Sequence, residues 1–177
     1  MGAKNNHRAV FMLLVGLALI VPLGARASAP QKAGPRDPAQ AAARSFYQFH
    51  LAHNKGFTVR NVRLRKRWLT AELFGLLLGE LKREEAESKA HPDEAPYFEG
   101  DPFTDSQEYP DSFLVGKSEA NGELARVTVT LLWSARTSRG RDKREILVEL
   151  ARTAGVWLIS DVVTGDGRLK DELKRPR

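Results

Sequence analysis

The chain has 177 residues, 42% of them apolar and 28% charged, with a net charge of +6 and no cysteine. This composition suits one ordinary globular domain. It excludes disulfide staples, a thiolate nucleophile, cysteine-ligated zinc and a lipid-modified N-terminal cysteine.

Residues 1–27 read as a secretory signal peptide. Lys4 and Arg8 precede 13 apolar residues, Pro22 and Gly24 break the run, and Ala25-Arg26-Ala27 supplies the small-x-small cleavage pattern. A membrane-spanning helix needs roughly 20 apolar residues, so no stable membrane insertion is expected after cleavage. Losing Lys4, Arg8 and Arg26 lowers the net charge from +6 to +3. That is too little to argue for a nucleic-acid partner. The product is expected to be periplasmic or secreted, with residues 28–36 as a flexible lead-in and residues 37–177 as a single domain.

Asp37-Pro38 opens a helix with a capping carboxylate and a proline at the first position. Ala39, Ala42, Ala43, Phe46, Phe49, His50 and His53 then form one face, and Gly56 ends the helix, predicted over 38–55. Residues 58–64 read as extended, with Val62 and Leu64 alternating against Arg63 and Arg65. Thr70 caps a second helix whose apolar side carries Leu69, Leu73, Leu76, Leu77 and Leu81, and which stops at His91-Pro92.

Residues 93–111 hold seven carboxylates and no Lys or Arg, and Pro96, Pro102 and Pro110 deny them regular structure. Tyr97, Phe98, Phe103 and Tyr109 are interleaved, which predicts an ordered loop pinned by aromatics. The period then changes to two. Residues 113–119 and 124–134 flank Asn121-Gly122, a strong hairpin signal, with Val127, Val129, Leu131 and Trp133 on one face. A basic turn at 136–143, strands at 144–151 and 156–163, and a short tail helix through Leu169 and Leu173 complete the chain. The expected fold is α+β, two N-terminal helices packed on an antiparallel sheet of about four strands.

Arg44-Ser45-Phe46-Tyr47, the hairpins and the late strand Gly155-Val156-Trp157-Leu158-Ile159-Ser160-Asp161-Val162 resemble the nuclear transport factor two-like (cystatin-like) superfamily. That resemblance implies a cone, with a curved sheet wrapping the first helix. More narrowly, the string from Tyr97 to Glu108 followed by the tryptophan strand resembles the exported bacterial domain of unknown function 3828 family. The likeness spans residues 41–169 and brings no chemistry with it, because one fold hosts many functions.

Three constellations are candidates. Asp101, Asp105 and Gln107, with Tyr97 and Phe103, mark the acidic loop as the ligand- or partner-binding region. The same oxygens invite a calcium reading, but the spacing is not that of an EF-hand, and turn-capping aspartates with Gln107 tying the loop to the sheet explain them better. His50 and His53 share a helical face, as two zinc ligands would, yet a hydrogen-bonded core histidine explains His50 better. The catalytic reading pairs His50 with Asp161 as general base and orienting carboxylate; whether Asp161 points inward depends on strand parity. The basic runs 60–67 and 136–144 could grip anionic wall polymers or lipid headgroups, but they read better as solvated edges and turns, and Trp68 as a core anchor. No metal or cofactor is expected, and hydrolase, nucleotide and dinucleotide motifs are missing. These readings favour an exported binding domain that holds a small molecule or an exported protein near its acidic loop. The alternatives are a hydrolase or dehydratase-isomerase using His50 and Asp161, or an inhibitor or immunity-type protein.

Overall fold

The computed structural model describes residues 37–53, 56–134 and 142–176. The expected signal peptide, the lead-in and most of the basic turn lie outside the described residues. Helix α1 (Pro38–Ala52) starts as its sequence dictates: Asp37 Oδ1 accepts the Ala39 N–H at 2.8 Å and the Gln40 N–H at 3.4 Å. Its inward stripe is Ala39, Ala43, Phe46, Tyr47 and His50, all buried.

Beyond the extended cap residue Thr58, the segment expected to be a strand is helical. The Thr58 hydroxyl accepts the Asn61 N–H at 3.2 Å and caps α2 (Val59–Arg65), which a 3-10 turn (Lys66–Trp68) continues. The alternation of Val62 and Leu64 was misleading. The residues that go inside are Val62 and Arg65, at helical spacing, while Leu64 is 47% exposed. Trp68 anchors the turn in the core, its Nε1 donating to Ser45 Oγ at 3.1 Å.

Helix α3 (Ala71–Ala90) is capped by Thr70, buries Leu73, Leu77 and Glu80, and ends at His91. A long irregular segment then leads to the sheet, an antiparallel meander of β1 (Ser112–Asn121), β2 (Leu124–Trp133), β3 (Asp142–Thr153), β4 (Val156–Thr164) and the short β5 (Gly167–Arg168). Among the described residues the sheet thus has five strands rather than about four. The first hairpin turns on Gly122 and Glu123, one residue later than expected, because Asn121 still pairs with Leu124. Gly122 takes the positive φ of 60° that the turn requires.

Helices α1, α3 and α4 (Leu169–Lys174) pack against the sheet. Its inward side chains are Val127, Val129 and Leu131 from β2, Ile146, Val148 and Leu150 from β3, and Ile159 and Val162 from β4. The last pair breaks a strict period of two for a definite reason. Pairing steps from Glu149–Asp161 to Leu150–Ile159, so Ser160 is an extra residue that reverses the facing of β4. A second bulge sits in the edge strand β1 between Val115 and Ser118, and Gln40 Nε2 of α1 donates to the Gly116 carbonyl there at 2.7 Å.

The C-terminal helix is tied to α3. Lys170 and Lys174 both reach Glu72, at 2.7 and 2.9 Å, and these two hydrogen bonds hold its carboxyl down at about 2. Arg83 bridges the buried Glu80 and the Leu173 carbonyl. Two substitutions test this architecture in urea unfolding. Leu77→Ala, which empties a fully buried site, should cost about 2–5 kcal/mol. Thr58→Ala should cost about 1 kcal/mol through the lost cap; no effect would contradict the helical assignment of 59–65.

Candidate functional site

The acidic loop is fastened to the helices by a buried polar chain. His50 projects inward from α1 and is 1% exposed, between the rings of Phe46, Tyr47 and Phe103. Arg65, brought inside by α2 and 2% exposed, donates from Nε to His50 Nδ1 at 2.7 Å. It also donates to the carbonyls of Asn61, His50 and His53. A guanidinium offers no acceptor, so Nδ1 carries the lone pair and the ring proton sits on Nε2. That nitrogen lies 3.1 Å from Asp101 Oδ2, at an angle bent out of line for a hydrogen bond, so the attraction is mainly electrostatic. Asp101 comes from the loop and is itself 4% exposed.

Burial alone would raise the Asp101 carboxyl, but His50, the Phe103 N–H at 2.8 Å and Arg65 together hold it below the ordinary carboxylate range. Burial lowers Arg65, and Asp101 and Tyr109 oppose that shift. The loop closes on itself around the same residue. Asp101 N donates to the Ser106 carbonyl at 3.0 Å, and the Asp101 carbonyl accepts from Thr104 and Asp105. Gly100 lies so close to this bridge that a Cβ would stand 2.5 Å from the Ser106 carbonyl oxygen. Tyr47 Oη donates to the Phe103 carbonyl at 2.9 Å, and the Phe103 ring is buried against Phe46.

Several expectations change here. His50 does not pair with Asp161, and both of its nitrogens are turned to protein groups. Asp161 accepts from the Val162 and Lys170 backbones, at 2.9 and 3.0 Å, and lies 3.0 Å from Arg168, so it secures the start of α4. No acid–base pair of His50 and Asp161 exists. His53 is exposed, with Nδ1 on the Phe49 carbonyl, so the two histidines share no metal position. Asp101 and Asp105 do not converge on a cation: one faces His50, the other Arg144 at 3.0 Å. Among the described residues no three His, Asp or Glu side chains are grouped to hold a metal ion. Gln107 ties the loop to itself through Glu99 at 2.8 Å rather than to the sheet.

Arg65 escaped sequence reasoning because it sat in a basic run taken as solvated. The available signal was Thr58 as a cap, which places Val62 and Arg65 on one inward face.

On its outer side the loop forms one wall of an open cleft of about 340 Å³, and β4 and α4 form the other. Tyr97, Glu99, Asp105 and Gln107 face Val162, Leu169 and Glu172 across it, and among the described residues no Lys or Arg lines it. Burial raises the Glu172 carboxyl, with Asp105 adding to the shift, Arg175 opposing it and Asp166 reinforcing it. The lining thus combines carboxylates with apolar side chains, and Arg144 pairs with Asp105 beside it. Tyr97 is 40% exposed at its rim, its Oη accepting from Arg175 at 3.3 Å.

No protein-family model and no curated protein sequence matches the chain. Among solved structures, a chain in the crystal structure of the type VI native effector-immunity complex Tae3-Tai3 from Ralstonia pickettii is similar to it at 21% identity. The match covers 71% of this chain and 94% of that one, with a TM-score of 0.47.

Breaking the buried chain should be costly, since a buried polar group loses one of its partners out of reach of water. Asp101→Asn and His50→Ala should each lose about 3 kcal/mol in urea unfolding, and the double variant less than the sum. The folded state depresses the Asp101 carboxyl, so its ionised form stabilises above the unfolded value of about 3.9. That contribution is lost as pH falls through the folded value. Asp101→Asn should therefore flatten the acid limb of stability against pH; an unchanged limb would show that the contact contributes nothing.

Proposed function

We propose that this chain is an exported binding protein whose acidic loop and adjoining cleft dock a positively charged partner. One observation carries the reading: Asp101 fixes the loop from within, while Glu99, Glu172 and the Arg144-paired Asp105 stand around an open cleft that no Lys or Arg lines among the described residues. A preorganised loop loses little conformational freedom on association, and its field accelerates encounter with a cationic surface. Tyr97 and the edge of Phe98 offer the aromatic contact common at interface centres. Phe103 supports the surface from beneath rather than touching a partner.

Export is supported by the leader-like pattern of residues 1–27, and membership of the exported family by the loop string and the tryptophan strand. The cone-shaped fold belongs to the same proposal. A protein partner is favoured over a small molecule because the cleft is open and continuous with an exposed loop. The inhibitor or immunity alternative is the special case in which that partner is an enzyme with a basic surface, covered when the loop docks. The enzymatic alternative loses its support, because His50 and Asp161 serve other contacts.

The test is affinity capture from periplasmic extract with the wild-type chain and with Glu99→Gln/Asp105→Asn/Glu172→Gln as bait. The expected result is a captured basic protein whose recovery falls at least tenfold with the variant, and in the wild type as salt rises. Equal recovery on the two baits would overturn the reading.

A further inference from the structure

Charge is segregated along this chain. Between Asp37 and Glu72 there is no acidic residue, while Arg44, Lys55, Arg60, Arg63, Arg65, Lys66 and Arg67 all fall in that interval. Once 59–65 is helical, these cations are sorted by the helix. Arg65 turns into the core to hold His50, whereas Arg60, Arg63, Lys66 and Arg67 remain exposed. Val59 and Leu64 stand among them, 41% and 47% exposed. The same surface carries a ring-and-cation stack. The Arg67 guanidinium lies 3.8 Å from the Trp68 ring and 5.6 Å from Phe49, and Phe49 stacks on His53 at 4.1 Å. Lys66 lies 5.5 Å from the Phe74 ring.

We propose that α2 and the 3-10 turn after it form a docking surface for an anionic lipid bilayer. Charge complementarity commits the face to an anionic occupant, because no carboxylate of α1, α2 or the turn is there to neutralise it. The two exposed aliphatic side chains choose among anions. A flexible polyanion would neutralise the arginines and leave Val59 and Leu64 in water. A phospholipid surface instead pairs phosphates with the guanidiniums and takes the aliphatic tips into the headgroup layer, as basic amphipathic helices do. The rings beneath Arg67 and Lys66 hold those cations in place, so little side-chain freedom is lost on contact. This surface is built by α1, α2 and the turn, apart from the residues that line the acidic cleft, so the inference stands whether or not the cleft binds a cationic partner.

The test is co-sedimentation of the full chain with vesicles of phosphatidylcholine alone and of phosphatidylcholine with phosphatidylglycerol. Wild type is compared with Arg60→Gln/Arg63→Gln and with Leu64→Ser. All variants share the same N-terminus, so a loss of binding in a variant is read against one common background. Binding should require phosphatidylglycerol. It should fall on the order of 30-fold for the arginine pair and about fivefold for Leu64→Ser, with urea midpoints unchanged because all three positions are exposed. No preference for anionic vesicles would overturn the proposal, as would an unchanged arginine variant. Loss of dextran sulfate binding in the arginine variant, with Leu64→Ser still binding vesicles like wild type, would point to a soluble polyanion and overturn it too.

Discussion

Everything near the acidic loop depends on one buried contact chain, Arg65–His50–Asp101. Three polar side chains from α1, α2 and the loop meet where the surroundings are mostly rings. Removing them from water is expensive, and a well-packed apolar set could be equally stable. What the polar version adds is direction. A carboxylate that must face an imidazole, and an imidazole that must accept from a guanidinium, permit one register of loop against helix. Apolar contacts between Phe46 and Phe103 alone would tolerate sliding. The close approach of Gly100 to the Ser106 carbonyl then fixes the loop's return, and Asp105 is left pointing outward.

How much of this was legible in the sequence varied with the kind of signal. Helices α1 and α3 and strands β2 and β3 could be read because their caps and periods agree with what they bury. Asp37 and Thr70 cap where expected, and Val127, Val129 and Leu131 face inward at a period of two. The acidic loop was recognised as ordered from its aromatics. Its polar anchor was invisible, because the partners of Asp101 lie about 50 and about 35 residues away in a helix and in what resembled a strand. Residues 58–64 misled because alternation over so short a run fits either period. Asp161 was ambiguous for a different reason. The extra residue Ser160 reverses the strand's facing, and a bulge leaves no compositional mark.

Charge is sorted in two stretches of the chain: residues 38–71 carry no acidic side chain and residues 93–111 no Lys or Arg. In a folded domain of modest net charge, such separation produces opposite potentials on different faces. The basic face gains its shape from a short helix, and the acidic face from a loop held by a buried clasp.

The cleft beside the loop is closed on its second side by α4, which Asp161, Glu72 and the Glu80–Arg83 pair hold in place. Those six residues, Leu169–Lys174, are tethered to their neighbours through side chains rather than through a strand ladder. The width of the groove is therefore set by a handful of ionic ties, while the pleated scaffold beneath is set by its own ladder.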